Sequence, residues 1–196
     1  MSNLFQTLEL EAFRKGITPR TKESISWFQG KAQQLAVPNR RHLMREEPLK
    51  LKGRQSIGNM FMYFYDPKHK KTLPYYDTFP LTIIVKRVPQ GFHGLNLHYL
   101  PPTLRAKFLD ALLDNMTNKR YDESTKFRMN YQLLKSSSQL DLFKPCYKHY
   151  INKHVRSRFA YIPPPEWEIA TFLPVADFQK ESKSYVWKQS SRIAAG

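Results

Sequence analysis

Residues 81–100, which read LTIIVKRVPQGFHGLNLHYL, decide the fold of this chain. The apolar run at 81–88 predicts a buried strand, and Pro89-Gln90-Gly91 is typical of a turn. Apolar and polar residues then alternate over 92–100, which predicts the next strand. The stretch therefore predicts an antiparallel hairpin at the centre of the protein.

The segment before this hairpin is rich in aromatic residues, prolines and lysines. Residues 60–65 predict a strand, and Asp66-Pro67 opens a turn that carries three lysines between tyrosines. With the hairpin, this strand gives an antiparallel meander of three neighbouring strands. Residues 158–162 predict a short edge strand later in the chain.

Helical spacing of apolar residues surrounds the predicted sheet. We expect helices over 3–15, from Thr18-Pro19 to about 36, over 103–112, 121–135, 143–154 with one basic side, and 166–172.

The fold class is therefore α+β: a small antiparallel sheet packed with helices, a helical N-terminal arm and an extended C-terminal tail. We expect three parts, namely a helical and basic arm at 1–54, a core domain at 55–175 and a C-terminal arm at 176–196. The first two helices either pack on the core or reach a neighbouring subunit.

The charge of the chain is strongly unbalanced. Its 196 residues carry 32 Lys and Arg against 16 Asp and Glu, a formal net charge of +16. Such an excess repels itself unless an anionic partner offsets it, and nucleic acid is the commonest such partner. An acidic protein subunit is the alternative partner.

The candidate contacts to DNA or to an acidic partner are the basic residues of four segments. They are Arg40, Arg41 and Arg45 in the N-terminal segment, Lys68, Lys70 and Lys71 in the turn, Lys86 and Arg87 at the end of the buried strand, and Lys144, Lys148, Lys153, Arg156 and Arg158. Lysines contact phosphates, and tyrosines hydrogen-bond to phosphates or stack on bases. The fold decides which of the four segments converge.

The compartment follows from a few further features. The single cysteine, Cys146, allows no internal disulfide and fits a reducing compartment. We expect no signal peptide and no membrane span, because charges interrupt the N-terminus and every apolar run is short.

The sequence supports three hypotheses of enzymatic function less well than it supports a binding function. A nuclease metal site needs two carboxylates beside a lysine, but in the Ile84-Val85-Lys86 triplet that follows Asp77 an isoleucine stands where the second carboxylate belongs. Cys146, His149 and His154 lack the fourth ligand of a usual zinc site. The chain has no glycine-rich nucleotide-binding motif. We therefore expect no catalysis, no metal, no cofactor and no small-molecule substrate.

Several longer motifs point to one family. The chain resembles virion-associated proteins of T4-like contractile-tailed bacteriophages, and among them the DNA end protector family, over about residues 55–190. Residues 1–54 are expected to be individual to this chain. The motifs are FYDPK at 64–68, LPYYD at 73–77, FPL at 79–81, GFxGLNLHYLP at 91–101, RYDE at 120–123, FKPC at 143–146 and VRSRF at 155–159.

The resemblance implies a non-enzymatic virion protein, made in the bacterial host cytoplasm. Its expected partners are other virion proteins, of the portal and neck or of the baseplate, and double-stranded DNA. A purely structural neck or baseplate component that binds acidic subunits is the alternative, and a DNA nuclease is the second alternative.

Overall fold

The computed structural model describes residues 4–46, 49–117, 122–137 and 140–195. Within them the helices are α1 (Leu4–Arg14), α2 (Lys22–Ala32), α3 (Arg40–Leu43), α4 (Pro102–Thr117), α5 (Glu123–Ser137), α6 (Trp167–Phe172) and α7 (Lys183–Ala194). The strands are β1 (Lys50–Lys52), β2 (Met60–Met62), β3 (Tyr76–Asp77), β4 (Leu81–Val88), β5 (Gly91–Asn96), β6 (Tyr147–Ile151), β7 (Phe159–Ile162) and β8 (Phe178–Gln179). The predicted α+β class is confirmed.

The main sheet is antiparallel throughout, in the order β1-β7-β2-β4-β5-β6, and β3 pairs with β8 in a separate ribbon. The predicted meander is present, because β2, β4 and β5 are neighbours in this order. The predicted edge strand is not at an edge: β7 lies between β1 and β2.

The hairpin at the centre closes through a tight turn. Val88 pairs with Gly91, so Pro89 and Gln90 form the loop, and Gln90 takes a φ of 63° at the position where such turns favour glycine. Gly94 is required by packing, since a Cβ there would collide with the side chain of Thr82 on β4.

Alternation along the strands gives the sheet two different faces. Met60, Met62 and Ile83 point into the main hydrophobic core, which the helices cover. Phe61, Tyr63, Ile84, Phe92, Tyr150 and Phe159 form a second, aromatic cluster with Tyr65 on the other face. The Tyr63 ring lies edge-on to four of these rings, with centroid distances of 5.0 to 6.4 Å.

The first two helices contribute to the main core. Phe5, Leu8 and Ala12 of α1 are buried in it at helical spacing, as are Ile25 and Phe28 of α2. The boundaries of 1–54, 55–175 and 176–196 stay a prediction.

The cap of the second helix differs from the prediction. Thr21, not Thr18, precedes α2 and forms a capping box with Ser24. A threonine three residues from a serine satisfies two backbone N–H groups at once, which outweighs the proline signal.

The predicted extended C-terminal tail is wrong, because 183–194 form α7. Ser182 caps this helix by accepting a hydrogen bond from the Tyr185 backbone amide at 3.2 Å. Val186 and Ser190, four residues apart, are buried. One narrow apolar face is enough to stabilise a helix when a neighbouring surface covers that face.

The predicted helix over 143–154 is also wrong, because 147–151 form β6 beside β5. The aromatic and β-branched content of this segment favours a strand, and the 3-10 turn before it, Asp141–Cys146, contains Pro145. The basic part of the predicted N-terminal arm contains α3 and β1.

Candidate nucleic-acid interface

Four arginines from two distant segments line one cavity of about 590 Å³, which we call the arginine groove. Arg41 and Arg45 come from α3 and the residues after it, whereas Arg156 and Arg158 lie between β6 and β7. Phe64, Tyr65, Thr78 and Leu51 line the same cavity. Of the predicted basic residues, these four are therefore brought together by the fold.

Local sequence fixes the first wall of the groove. The Asn39 side chain accepts hydrogen bonds from the backbone amides of Arg41 and His42, at 3.0 and 3.1 Å, and so starts α3. Leu43 and Met44 are buried in the main core. Arg41 and Arg45, four residues apart on this short turn, are exposed.

Backbone contacts fix the second wall. The Arg156 amide donates to the Phe64 carbonyl at 2.8 Å, and the Phe64 amide donates to the Ser157 hydroxyl at 2.9 Å. The Arg158 guanidinium donates to the Leu51 carbonyl at 2.9 Å. These hydrogen bonds therefore hold Arg156 and Ser157 against Phe64, and they hold the Arg158 side chain against Leu51.

The groove has a surplus of positive charge. Asp66 is in contact with Lys70 at 2.8 Å and with Arg156 at 3.3 Å, and hydrogen bonding from Lys70, more than the Arg156 contact, lowers the pKa of this carboxyl. Within the described part of the chain, no carboxylate pairs with Arg41, Arg45 or Arg158. Guanidinium groups in this state suit phosphate, whose oxygens they bind bidentately.

A second cavity of about 510 Å³ adjoins the groove through Tyr65, which lines both. We call it the tyrosine pocket. Its tyrosines are Tyr65, Tyr75, Tyr76, Tyr99, Tyr147 and Tyr150, and its basic residues are Lys68, His69, Lys148 and His149.

Lys148 is the unusual member of this pocket. Its Nζ lies 4.0 Å from the centroid of the Tyr99 ring, and burial lowers the pKa of its ammonium to about 8. A cation over an aromatic face is stabilised by the ring quadrupole, but less well than by water and a counter-ion together. Within the described residues it forms no ion pair with a carboxylate.

A buried polar network supports the pocket from below, and Asp77 is its centre. One carboxylate oxygen contacts His98 Nδ1 at 2.7 Å and Asn96 Nδ2 at 3.1 Å, and the other accepts from the amides of Phe79 and Asp177. Burial opposes ionisation of Asp77, yet the contact with His98 and these hydrogen bonds hold its pKa below the usual range. Asn96 also donates to the Tyr150 hydroxyl at 3.0 Å, which ties the network to the pocket wall.

The other predicted basic residues do not join the groove. Arg40 holds the C-terminal segment, donating to the carbonyls of Val175 and Ala176 at 2.8 and 3.0 Å. Lys144 pairs with Asp141, and Arg87 donates to the Gln55 carbonyl. Exposed positions elsewhere are taken by Lys71 in the turn, Lys86 on β4 and Lys153 after β6.

The candidate residues of the enzymatic readings have structural contacts. Asp77 is engaged in the network above. Cys146 is buried and its thiol donates to the Phe143 carbonyl at 3.1 Å, whereas His154 contacts the Asp66 carbonyl and His149 stacks on His93. Among the described residues, no cluster of three or more His, Cys, Asp or Glu side chains has the arrangement of a metal site.

Sequence reasoning missed the tyrosine pocket. The helix predicted over 143–154 gives no reason to place Tyr147 and Tyr150 beside the turn tyrosines, and the strand predicted over 92–100 gives none for Tyr99. The signal was present in Tyr147-Lys148-His149-Tyr150, whose aromatic content fits a strand that alternates between two faces.

None of the helices within the described ranges has the length and apolar character needed to cross a bilayer.

A family model described as the phage T4 terminal DNA protecting protein matches residues 5–192. This match begins in α1, so the expectation that 1–54 are individual to this chain is wrong. No curated protein and no solved structure matches the chain.

Proposed function

We propose, from the premise that this chain belongs to the phage T4 terminal DNA protecting protein family, that it binds the ends of linear double-stranded DNA and shields them. Binding alone performs this function, with no bond made or broken. The chain acts within the virion, after its synthesis in the bacterial host.

The convergence of four arginines in the arginine groove carries this proposal. Arg41 and Arg45 meet Arg156 and Arg158 across more than a hundred residues of sequence, around one cavity. A duplex presents two rows of phosphates, and two walls of guanidinium groups match such a ligand better than a single charged loop. These contacts read no bases, as suits a protein that must accept an end of any sequence.

Protection follows from occupancy. An exonuclease or a helicase must reach the last base pairs, and a protein seated there excludes it. The net charge of +16 adds long-range attraction to DNA, which speeds the encounter and makes it sensitive to salt.

The test is fluorescence anisotropy with a 20-base-pair blunt duplex at physiological salt. We expect the double variant Arg45→Gln/Arg158→Gln to bind about 30- to 1,000-fold more weakly, because each of the two lost charge-assisted contacts is worth about 1 to 2 kcal/mol. Lys188→Gln is the matched control, since it removes an exposed lysine on α7 outside both cavities. Unchanged affinity in the double variant would contradict the proposal and favour an acidic protein as the occupant of the groove.

A protection assay tests the consequence of binding. Wild-type protein should slow the digestion of linear DNA by an exonuclease, and the double variant should not. Digestion of the DNA by the protein itself, dependent on a divalent metal, would support the nuclease alternative.

A second function, attachment to another virion protein, is favoured by the outer face of α1. Phe13 is 79% exposed and Leu10 is 49% exposed, and Phe13 lines a largely apolar cavity of about 250 Å³ with Phe28 and Ile169. Large apolar side chains in such a position are typical of a protein contact. We expect a Phe13→Glu chain to fold and bind DNA normally but to be depleted from purified particles, measured by mass spectrometry; normal incorporation would contradict this role.

A further inference from the structure

We propose that the tyrosine pocket takes the terminal nucleotide of one DNA strand, with the base stacked on tyrosine rings and a phosphate near Lys148. This inference rests on the proposed function, and it identifies how the protein distinguishes an end from the interior of a duplex.

Size and lining fit a single nucleotide. The cavity holds about 510 Å³, within the range of about 300 to 1,000 Å³ of small-ligand sites. Tyr75, Tyr76 and Tyr147 are only partly buried and offer aromatic surface to the cavity. Aromatic side chains accept any base by stacking, so the site needs no sequence preference.

Charge in the pocket calls for an anion. Lys148 has an aromatic ring on one side and no carboxylate partner within the described residues, so its charge is poorly compensated. Lys68, His69 and His149 line the same cavity, and the Asp77 carboxylate is already engaged by His98 and Asn96. A bound phosphate would act as the counter-ion of Lys148.

The pocket is pre-organised. The Tyr150 hydroxyl accepts from Asn96, the Tyr65 hydroxyl accepts from the Ile151 amide at 3.1 Å, and Tyr99 contacts the Asp77 backbone. These rings are held before any ligand arrives, which reduces the entropy lost on binding.

Position connects the pocket with the groove. Tyr65 forms part of both walls, so a duplex on the arginine groove ends beside the tyrosine pocket. The last base of a strand has a stacking neighbour on one side only, and turning it out costs less than extruding an internal base. The pocket is therefore accessible to ends and closed to continuous duplex.

The first experiment compares two DNAs of one sequence by anisotropy: an open blunt duplex and a dumbbell closed by hairpin loops at both ends. Wild-type protein should bind the open duplex about tenfold more tightly. Lys148→Met and, separately, Tyr147→Leu should bring this ratio close to one, whereas Arg45→Gln/Arg158→Gln should weaken binding to both DNAs. Lys188→Met is the control and should keep the wild-type ratio.

Thermal unfolding separates function from folding. Lys148→Met should raise the Tm by about 3 °C at pH 7, because the charged lysine is disfavoured by burial in the folded state. A variant that is more stable and yet loses the preference for ends cannot have lost it by unfolding.

A cross-link locates the base. A 5-iodouracil at the terminal position should react on illumination with the peptides that hold Tyr75 and Tyr76 or Tyr147 and Tyr150, and an internal 5-iodouracil should not. Equal cross-linking from both positions, or an unchanged ratio in both pocket variants, would overturn the inference and leave the proposed function intact. Failure of the wild-type chain to bind either DNA would instead overturn the proposed function.

Discussion

The arginine groove and the tyrosine pocket share Tyr65, yet the two surfaces are built in opposite ways. The groove consists of exposed arginines on segments held mainly by backbone contacts. The pocket contains Tyr65 and Tyr150, whose hydroxyls accept hydrogen bonds from the fold, and Asn96 links Tyr150 to the buried carboxylate of Asp77. Charge in the groove is therefore adjustable at little cost in stability, whereas the pocket is coupled to the core.

The two surfaces also treat their cations differently. An arginine stays protonated in almost any environment, so the groove keeps its charge throughout the physiological range. Lys148 has lost part of its hydration, and its charge depends on pH and on what binds. The groove therefore attracts DNA phosphates equally over this pH range, whereas the charge of Lys148 in the pocket depends on whether a phosphate is bound.

The largest expected effect is a difference in stability between substitutions of two aspartates, one from each region. Asp77→Ala should lower the free energy of unfolding by about 3 to 5 kcal/mol, because His98, Asn96 and two backbone amides lose a buried partner. Asp66→Ala, at the exposed edge of the groove, should change it little. Urea unfolding of both variants measures the difference, and similar losses would show that the groove depends on the core as much as the pocket does.

The next effect concerns salt. A plot of log affinity against log salt should lose about two from its slope in Arg45→Gln/Arg158→Gln, since each lost phosphate contact releases about 0.9 fewer ions. Lys148→Met should change the slope by about one at most, and only with open duplex. A titration from 50 to 300 mM salt checks this, and an unchanged slope in the double variant would remove the arginines from the phosphate contacts.

A smaller effect is expected at the wall between the two surfaces. Tyr65→Phe should lower the free energy of unfolding by about 1 kcal/mol, because the Ile151 amide loses its acceptor while the ring remains. Tyr161→Phe is a suitable comparison, since that ring is only half-buried and also contacts Phe61. Equal stability of Tyr65→Phe and wild type would mean that water replaces the lost hydroxyl and that the wall is looser than the contacts indicate.

The sequence predicted those parts of the fold that depend on local patterns. The hairpin at 81–96 was predictable because alternation and a proline turn agree there, but the predicted strand over 92–100 is too long, since Leu97–Tyr99 form a 3-10 turn. The segment 147–151 was not predictable, because Tyr147, Tyr150 and Ile151 also fit one side of a helix, and only pairing with β5 decides between the two. Tertiary contacts override such short patterns.

The site was predictable in its residues and not in its geometry. Arg41, Arg45, Arg156 and Arg158 were all recognised by charge, together with nine others that do not line the groove. Which arginines line the groove depends on the backbone contacts between 64–66 and 154–157, and no local sequence pattern predicts these contacts. Lys148 was recognised as a cation, but its place over Tyr99 follows only from the sheet.

The smallest expected effect is a pH dependence confined to the tyrosine pocket. Between pH 7 and 9 the ratio of open-duplex to dumbbell affinity should fall by about tenfold at most, because the pKa of Lys148 is near 8 and a bound phosphate would raise it. Of the groups that face Lys148, the Cys146 thiol has its pKa raised to about 12, and burial raises the pKa of Tyr99, Tyr147 and Tyr150, so all four keep their protons. The other basic groups of the pocket, Lys68, His69 and His149, are still present in Lys148→Met, as are its tyrosines and Asp77, and this variant should show a flat ratio. Binding of the dumbbell depends on arginines and should not change over this range, so a parallel decline for both DNAs would assign the titration to the groove and refute the division of labour between the two surfaces.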